Sequence, residues 1–338
     1  MRPALPLALV ALLAGCTAGT TGAAPAPSAG ASTPAARALL VAATRETRDG
    51  IWLYRIGPDR VARHVATVPP PEPSSRASAI TMSAGTTPSM CVIWSADGPG
   101  DDRLGVHAAS CYDRLEDGLE PSGTPVPVAG QVDEIALDAE GTRLFWSTKS
   151  EDGDTTGGVV ADYDDGRTSG GRALDMDCSR YLLSVVWAGR DRLVLHCTSG
   201  DNDDPGFLMT HELGAGSWAP RPGHQVGEAE TFVHPGFADE TSVGAFERRC
   251  ASGCDTAMPR MLSARAVRVD LRTGRVVEVV ATPAEGRHLH TLTGGAHGVV
   301  YVTEGRTDTR VYLRWPGERR GTRVAGLPAD LATLTAQA

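Results

Sequence analysis

Lysine and asparagine are almost missing from this chain: Lys149 and Asn202 stand alone among 338 residues. Asp and Glu outnumber Lys and Arg by 41 to 32, giving a net charge of −9. No stripe of Lys and Arg with interleaved aromatics occurs, so nucleic acid is not expected as a partner. No run of about 18 apolar residues is present, which excludes a membrane-spanning helix. No stretch of about 12 residues keeps an apolar period of 3.6, which argues against a helical fold. The GxSxG elbow, the HExxH helix, the Walker loop and a GxGxxG after a strand are also absent. No catalytic residue and no cofactor are therefore expected. A Ser/His/Asp site gathered from distant segments would leave no local spacing, so an enzyme stays open as the alternative.

What is present begins at the N terminus. In MRPALPLALVALLAGC one charge, Arg2, precedes an apolar stretch from Leu5 to Leu13. That stretch is too short for a bilayer, which needs about 20 residues. A short positive start, a short apolar core and a small-residue exit form a secretory signal peptide. The exit, Leu13-Ala14-Gly15-Cys16, resembles the lipobox of bacterial lipoproteins. The resemblance implies cleavage before Cys16, a diacylglyceryl group on its thiol, and anchoring at the outer face of the cytoplasmic membrane. Two acyl chains hold a protein there where one does not, since each buried methylene contributes about 0.8 kcal/mol. Ordinary signal cleavage near Ala23-Ala24 is the alternative.

Residues 17–35, TAGTTGAAPAPSAGASTPA, carry no charge and no large apolar side chain. They cannot bury enough surface to fold and read as a flexible tether. The expected organisation is a signal peptide over 1–15, the lipidated Cys and tether over 16–36, and a folded domain over 37–338. Removal of residues 1–15, with Arg2 their single charge, takes the net charge from −9 to −10. The bias toward Ala, Gly, Arg and Pro suits a high-GC genome, such as that of an actinobacterium.

Seven cysteines is an odd number for an exported chain, and lipidation of Cys16 accounts for one. The other six, Cys91, Cys111, Cys178, Cys197, Cys250 and Cys254, lie in three close couples, which favours pairing in sequence order. Cys91 begins one expected strand and Cys111 ends the next, so an antiparallel hairpin brings them together. The couple Cys178 and Cys197 sits about four residues off such a register. Cys250 and Cys254 would close a small loop.

The domain reads as β from end to end. AITMSAGTTPSMCVIWS (79–95), EIALDAEGTRLFWS (134–147), LLSVVWAGRDRLVLHC (182–197), TFVHPGFADETSVGAF (231–246) and HLHTLTGGAHGVVYVT (288–303) share one form. Each is an apolar strand, a turn with Gly or Asp, and a second apolar strand. The second strands begin near 90, 143, 192, 242 and 298, a spacing of 49 to 56, and RALLVAAT adds another near 37. Two further strands follow in each unit. Four strands per unit at a period near 50 predict an all-β, six-bladed β-propeller of four-stranded blades. The first unit lacks its innermost strand, and LPADLATLTA (327–336) is left over to supply it. Trp94 and Trp146 fall in second strands, Trp187 in a first, and Trp52 and Trp315 in third strands, which suits packing between blades. DAEGTRLFWS, with Asp138, Gly141 and Trp146, resembles the turn-and-strand motif of TolB-like propeller repeats. The resemblance implies the fold; propellers serve many functions.

Candidate sites are few. His288 and His290 alternate in a strand and share one face, where two imidazoles could help hold a metal, although a packing role suits them better. The loops between second and third strands all emerge on one side of such a ring. There Asp101, Asp102, Asp152, Asp154, Asp201, Asp203 and Asp204 form an acidic rim that would attract cations or a basic partner. Ca2+ suits such ligands, although no loop has the EF-hand order, and plain solvation is the bland explanation. The sequence thus reads as a lipid-anchored binding module for a protein, peptide or glycan of the cell envelope. A structural subunit of an envelope complex is a further alternative.

Overall fold

The second strands are nearly continuous apolar runs. Leu39–Arg45 (LLVAATR) and Gly298–Glu304 (GVVYVTE) bury six of their seven residues each. A strand covered on both faces must read this way, whereas a half-solvated strand alternates. The outermost strands show the reverse: Arg167–Leu174 (RTSGGRAL) is exposed along most of its length. Burial therefore falls from the second strands to the rim, as stacked blades require.

The computed structural model describes residues 38–337, except 47, 74, 85–87, 97–106, 114, 116–123, 127–131, 133, 151–153, 165–166, 175, 177, 179–180, 199–205, 214–220, 227–231 and 249–262. Residues 36–338 form one compact unit. Six four-stranded antiparallel sheets follow one another. Blade I holds Leu39–Arg45, Arg48–Ile56 and Ala62–Val68, with Leu331–Ala336 as its innermost strand. Blade II runs Ser75–Met82, Met90–Ala96, His107–Tyr112, Thr124–Val126, and blade III runs Ile135–Leu137, Arg143–Lys149, Thr155–Asp164, Arg167–Leu174. Blade IV runs Tyr181–Trp187, Arg192–Thr198, Phe207–Glu212, Arg221–Gln225. Blade V runs Phe232–Ala238, Ser242–Arg248, Ser263–Asp270, Val276–Ala281, and blade VI runs His288–Gly295, Gly298–Glu304, Thr309–Arg314, Thr322–Arg323. This is the six-bladed propeller that the repeat predicts. Among the described residues no helix is long and apolar enough to cross a membrane.

Six buried clusters lie between blades, one for each junction. Alternation within a single strand serves two of them. Leu39, Val41 and Ala43 pack on Val300 and Leu313 of blade VI, while Leu40 and Ala42 pack on Met90 and Val92 of blade II. Trp94 and Trp146 enter two such clusters, as does Trp187. Trp315 is also buried, but it lies one residue past its strand, not within it. Pro316 follows it, and proline has no N–H to continue a ladder.

The repeated turn has a local cause. Asp138 is 1% exposed and clasps its own hairpin. Its Oδ1 accepts the Thr142 N–H at 2.6 Å and the Arg143 N–H at 3.0 Å, and Oδ2 accepts the Thr142 hydroxyl at 3.0 Å. Gly141 holds φ = 71°, which a side chain would strain. Asp239 repeats the clasp in blade V, accepting the Thr241 and Ser242 N–H groups at 2.8 Å each. Of the residues that carry the TolB-like resemblance, Asp138 and Gly141 are thus turn-builders, while Trp146 packs between blades.

The ring closes through the C-terminal strand. Val41 pairs with Ala336, Ala43 with Leu334, and Arg45 with Leu331. Arg45 also binds Asp330 at 2.8 Å, and the Gln337 N–H donates to the Leu40 carbonyl at 3.0 Å. The fourth strand of blade VI is cut to Thr322–Arg323, because Ala325 turns away to blade I. The Ala62 N–H donates to its carbonyl at 2.8 Å, and its own N–H donates to Arg60 at 3.0 Å.

Candidate functional site

An innermost strand has a sheet partner on one edge only. The other edge faces the ring axis, and its N–H and C=O groups need partners. Neighbouring blades supply several. The Leu137 N–H donates to the Thr81 hydroxyl, the Trp187 indole N–H to the Ala136 carbonyl, and the Ala336 N–H to the Thr293 hydroxyl, each at 3.0 Å. The Ala84 N–H reaches the Ala139 carbonyl at 2.7 Å, and the Gln337 amide donates to the Ala84 carbonyl at 3.0 Å. The six innermost strands pack side by side around the full ring.

These strands enclose a cavity of about 530 Å³ on the axis. Ile80, Leu137, Leu183, Val185, Phe237 and Leu334 form much of its wall. Leu183, 40% exposed, is one of few large apolar side chains left open among the described residues. In blade V the wall is bent. The pairing register slips between Val233 and Phe237, and His234 takes φ = 49°, a left-handed value uncommon for histidine. Pro235 and Gly236 of this bulge line the cavity, and a Cβ on Gly236 would stand 2.0 Å from the Leu292 carbonyl. Only glycine fits there.

The cavity reaches the turns between first and second strands, where Asp239 and Glu240 stand and Arg268 of the third strand reaches in. Arg268 binds Asp239 and lies over the Phe237 ring at 5.8 Å. Burial pushes the Asp239 carboxyl up, but the Thr241 bonds, the Arg268 charge and the Ser242 hydroxyl outweigh it and hold the group below its ordinary 3.8. A carboxyl depressed on folding stabilises the fold above its unfolded value, and that contribution disappears as pH falls through the lower, folded value. Asp239→Asn should therefore lower stability at about pH 7 and flatten the loss seen below about pH 4. Urea midpoints at neutral and acid pH measure this; a variant with the wild-type acid slope would show that Asp239 contributes nothing to it.

The cavity was not marked by the sequence reading, which placed its candidate site on the opposite face, on the loops between second and third strands. Of that acidic rim, Asp154 is described: it is half-buried, and its carbonyl accepts the Ser150 N–H at 2.8 Å, closing the hairpin. Asp101, Asp102, Asp152, Asp201, Asp203 and Asp204 lie outside the described residues, as do Cys16, Cys250 and Cys254. The bonds Cys91–Cys111 and Cys178–Cys197 are formed, and Cys91 and Cys111 face each other in register. His288 and His290 are exposed on one face, with His288 3.3 Å from Glu304 and His290 3.0 Å from the Thr291 hydroxyl. Among the described residues no three His, Cys, Asp or Glu side chains gather as a metal site. The signal for the cavity was the set of first strands itself, since those strands must border the axis of any propeller.

The fold is shared with solved structures. TolB from Acinetobacter baumannii superposes with a TM-score of 0.55 at 11% identity, covering 88% of this chain and 66% of that one. A prolyl endopeptidase superposes with a TM-score of 0.50 at 13% identity, covering 87% of this chain and 40% of that one. The chain thus spans just under two thirds of the TolB chain and well under half of the peptidase. No protein-family model matches the chain, and no curated protein does. At these identities the likeness is one of fold.

Proposed function

We propose that the protein is an exported, lipid-anchored propeller that binds a component of the cell envelope without acting on it chemically. The observation that carries the binding role is the apolar-walled cavity on the ring axis. A concave apolar site of about 300–1,000 Å³ with a few polar groups is the usual form of a ligand pocket, and 530 Å³ falls within it. The Asp239 carboxylate and the Arg268 guanidinium at the mouth already serve the turn and each other, which suits binding better than proton transfer. Export is supported by the lipobox-like Leu13–Cys16 segment and by two disulfides, which persist in oxidising surroundings.

The test has two arms. Cys16→Ser should move the protein from the membrane fraction to the soluble fraction or block its maturation, and mass spectrometry should find a diacylglyceryl adduct on the native N terminus. An unmodified N terminus near Ala24 would overturn the anchor. Cross-linking in native-cell membranes, followed by mass spectrometry, should retrieve a discrete envelope partner. Turnover of an envelope substrate by the purified protein would replace the binding reading with an enzymatic one.

A further inference from the structure

We propose that the central cavity takes an uncharged aliphatic chain that carries a carbonyl, the chemistry of a fatty acyl ester or amide. The inference deepens the binding role proposed above and rests on it. Ser184, in the first strand of blade IV, lines the cavity, and its hydroxyl is buried without a hydrogen-bond partner. Other hydroxyls of the wall are spent. Ser78 donates to the Ile93 carbonyl at 3.2 Å, while Thr81 accepts the Leu137 N–H and Thr293 the Ala336 N–H, at 3.0 Å each. The pairing register slips beside Ser184, between it and Leu182, and the Leu183 side chain is left open. The bulged first strand of blade V, with Pro235 and Gly236, packs against this strand. Two bulged strands thus adjoin on the wall, where one buried hydroxyl is still unused.

A buried hydroxyl without a partner has lost its hydration and gained nothing in return, so a ligand group that accepts from it is favoured. A carbonyl oxygen accepts and carries no charge. The wall leaves no counter-charge over for an ion: Asp239 and Arg268 bind each other, and Glu134 is engaged within the protein. Glu240 is exposed at the mouth. An ammonium or a carboxylate drawn inside would give up its hydration for no opposite charge. The chain itself gains burial against Ile80, Leu137, Leu183, Phe237 and Leu334. The cavity therefore prefers an uncharged chain with one acceptor to the same chain with a charge of either sign.

Four probes of one chain length read this directly: methyl octanoate, 1-octene, octanoate and octylammonium, titrated calorimetrically into the purified, unlipidated Cys16→Ser protein. Methyl octanoate should bind at least about tenfold more tightly than either ion. Adding Ser184→Ala should weaken methyl octanoate about three- to tenfold and leave 1-octene unchanged. Removing a hydroxyl without a partner costs the fold nothing, so this variant should melt no lower than its parent. Leu183→Trp fills the open wall and should abolish binding of the ester while the protein still melts cooperatively. No binding of methyl octanoate by the parent, an ion bound as tightly as the ester, or ester binding unchanged by Ser184→Ala or by Leu183→Trp would overturn the proposal. So would a Ser184→Ala variant melting well below its parent, since the hydroxyl would then already have its partner inside the protein. A protein that retrieves an envelope partner but binds no methyl octanoate overturns this inference alone. One that does neither overturns the reading beneath it as well.

Discussion

Deleting residues 328–338 should unfold the propeller rather than trim it. The segment includes the innermost strand of blade I, Leu331–Ala336, which pairs with Leu39–Arg45. Its loss strips the ladder from Val41 to Arg45 and removes Leu334 and Ala336, each 3% exposed, from the core between blades VI and I. It also removes the ties from Ala336 to Thr293 in blade VI and from Gln337 to Ala84 in blade II. An open ring then presents an unpaired apolar edge, which is both unstable and prone to association. Burying one large aliphatic side chain is worth about 2–5 kcal/mol by deletion, and a whole domain is stable by only about 5–15 kcal/mol. The truncated chain should therefore show no cooperative urea or thermal transition. Leu334→Ala is the graded control: it should fold and lose about 2–4 kcal/mol. A truncated chain melting within a few degrees of the full one would mean that five complete blades hold without the closing strand.

Loss of the Cys91–Cys111 bond should cost about 3 kcal/mol. The two residues are 20 apart and directly opposed across a hairpin, with Cα atoms 4.1 Å apart and both side chains 0% exposed. In the chain-entropy model, closing a loop of about 20 residues removes roughly 3 kcal/mol of freedom from the unfolded chain. The double variant Cys91→Ala, Cys111→Ala tests this without burying new hydroxyls. Its urea midpoint should fall and its slope should rise somewhat, because the unfolded chain loses a cross-link and exposes more surface, while the native contacts of Ile93, Ala109 and Trp146 in the same cluster remain. Cys178–Cys197 spans 19 residues and should give a similar loss, although Cys178 is half-buried and stands outside the strand ladder. Non-reducing peptide mapping that finds Cys91 and Cys111 as free thiols would remove the premise.

Much of this architecture could be read from the residues alone. The expected starts of second strands near 90, 143, 192, 242 and 298 match strands beginning at Met90, Arg143, Arg192, Ser242 and Gly298. Apolar runs bounded by Asp and Gly turns are local features, so sequence is sufficient to place them. The Cys91 and Cys111 pairing followed from hairpin register, which the turn and the period of two constrain. Closure by the C-terminal segment followed from counting strands. Its start at Leu331, rather than 327, is set by Asp330, which binds Arg45 at the edge of blade I.

Other features depend on residues far apart in the chain. Thr322–Arg323 stops short because Ala325 finds Arg60 and Ala62 across the ring closure, a contact over more than 260 positions. The His234 bulge exists where Gly236 meets the Leu292 carbonyl of the next blade. The cavity is the clearest case. Leu183, Glu134 and Glu240 belong to three blades, and no spacing relates them. Sequence determined the strands, their number and their order, because alternation and turn chemistry act within a few residues. Only the closed ring decided which side chains face its axis, because that direction is set by how six twisted sheets pack against one another.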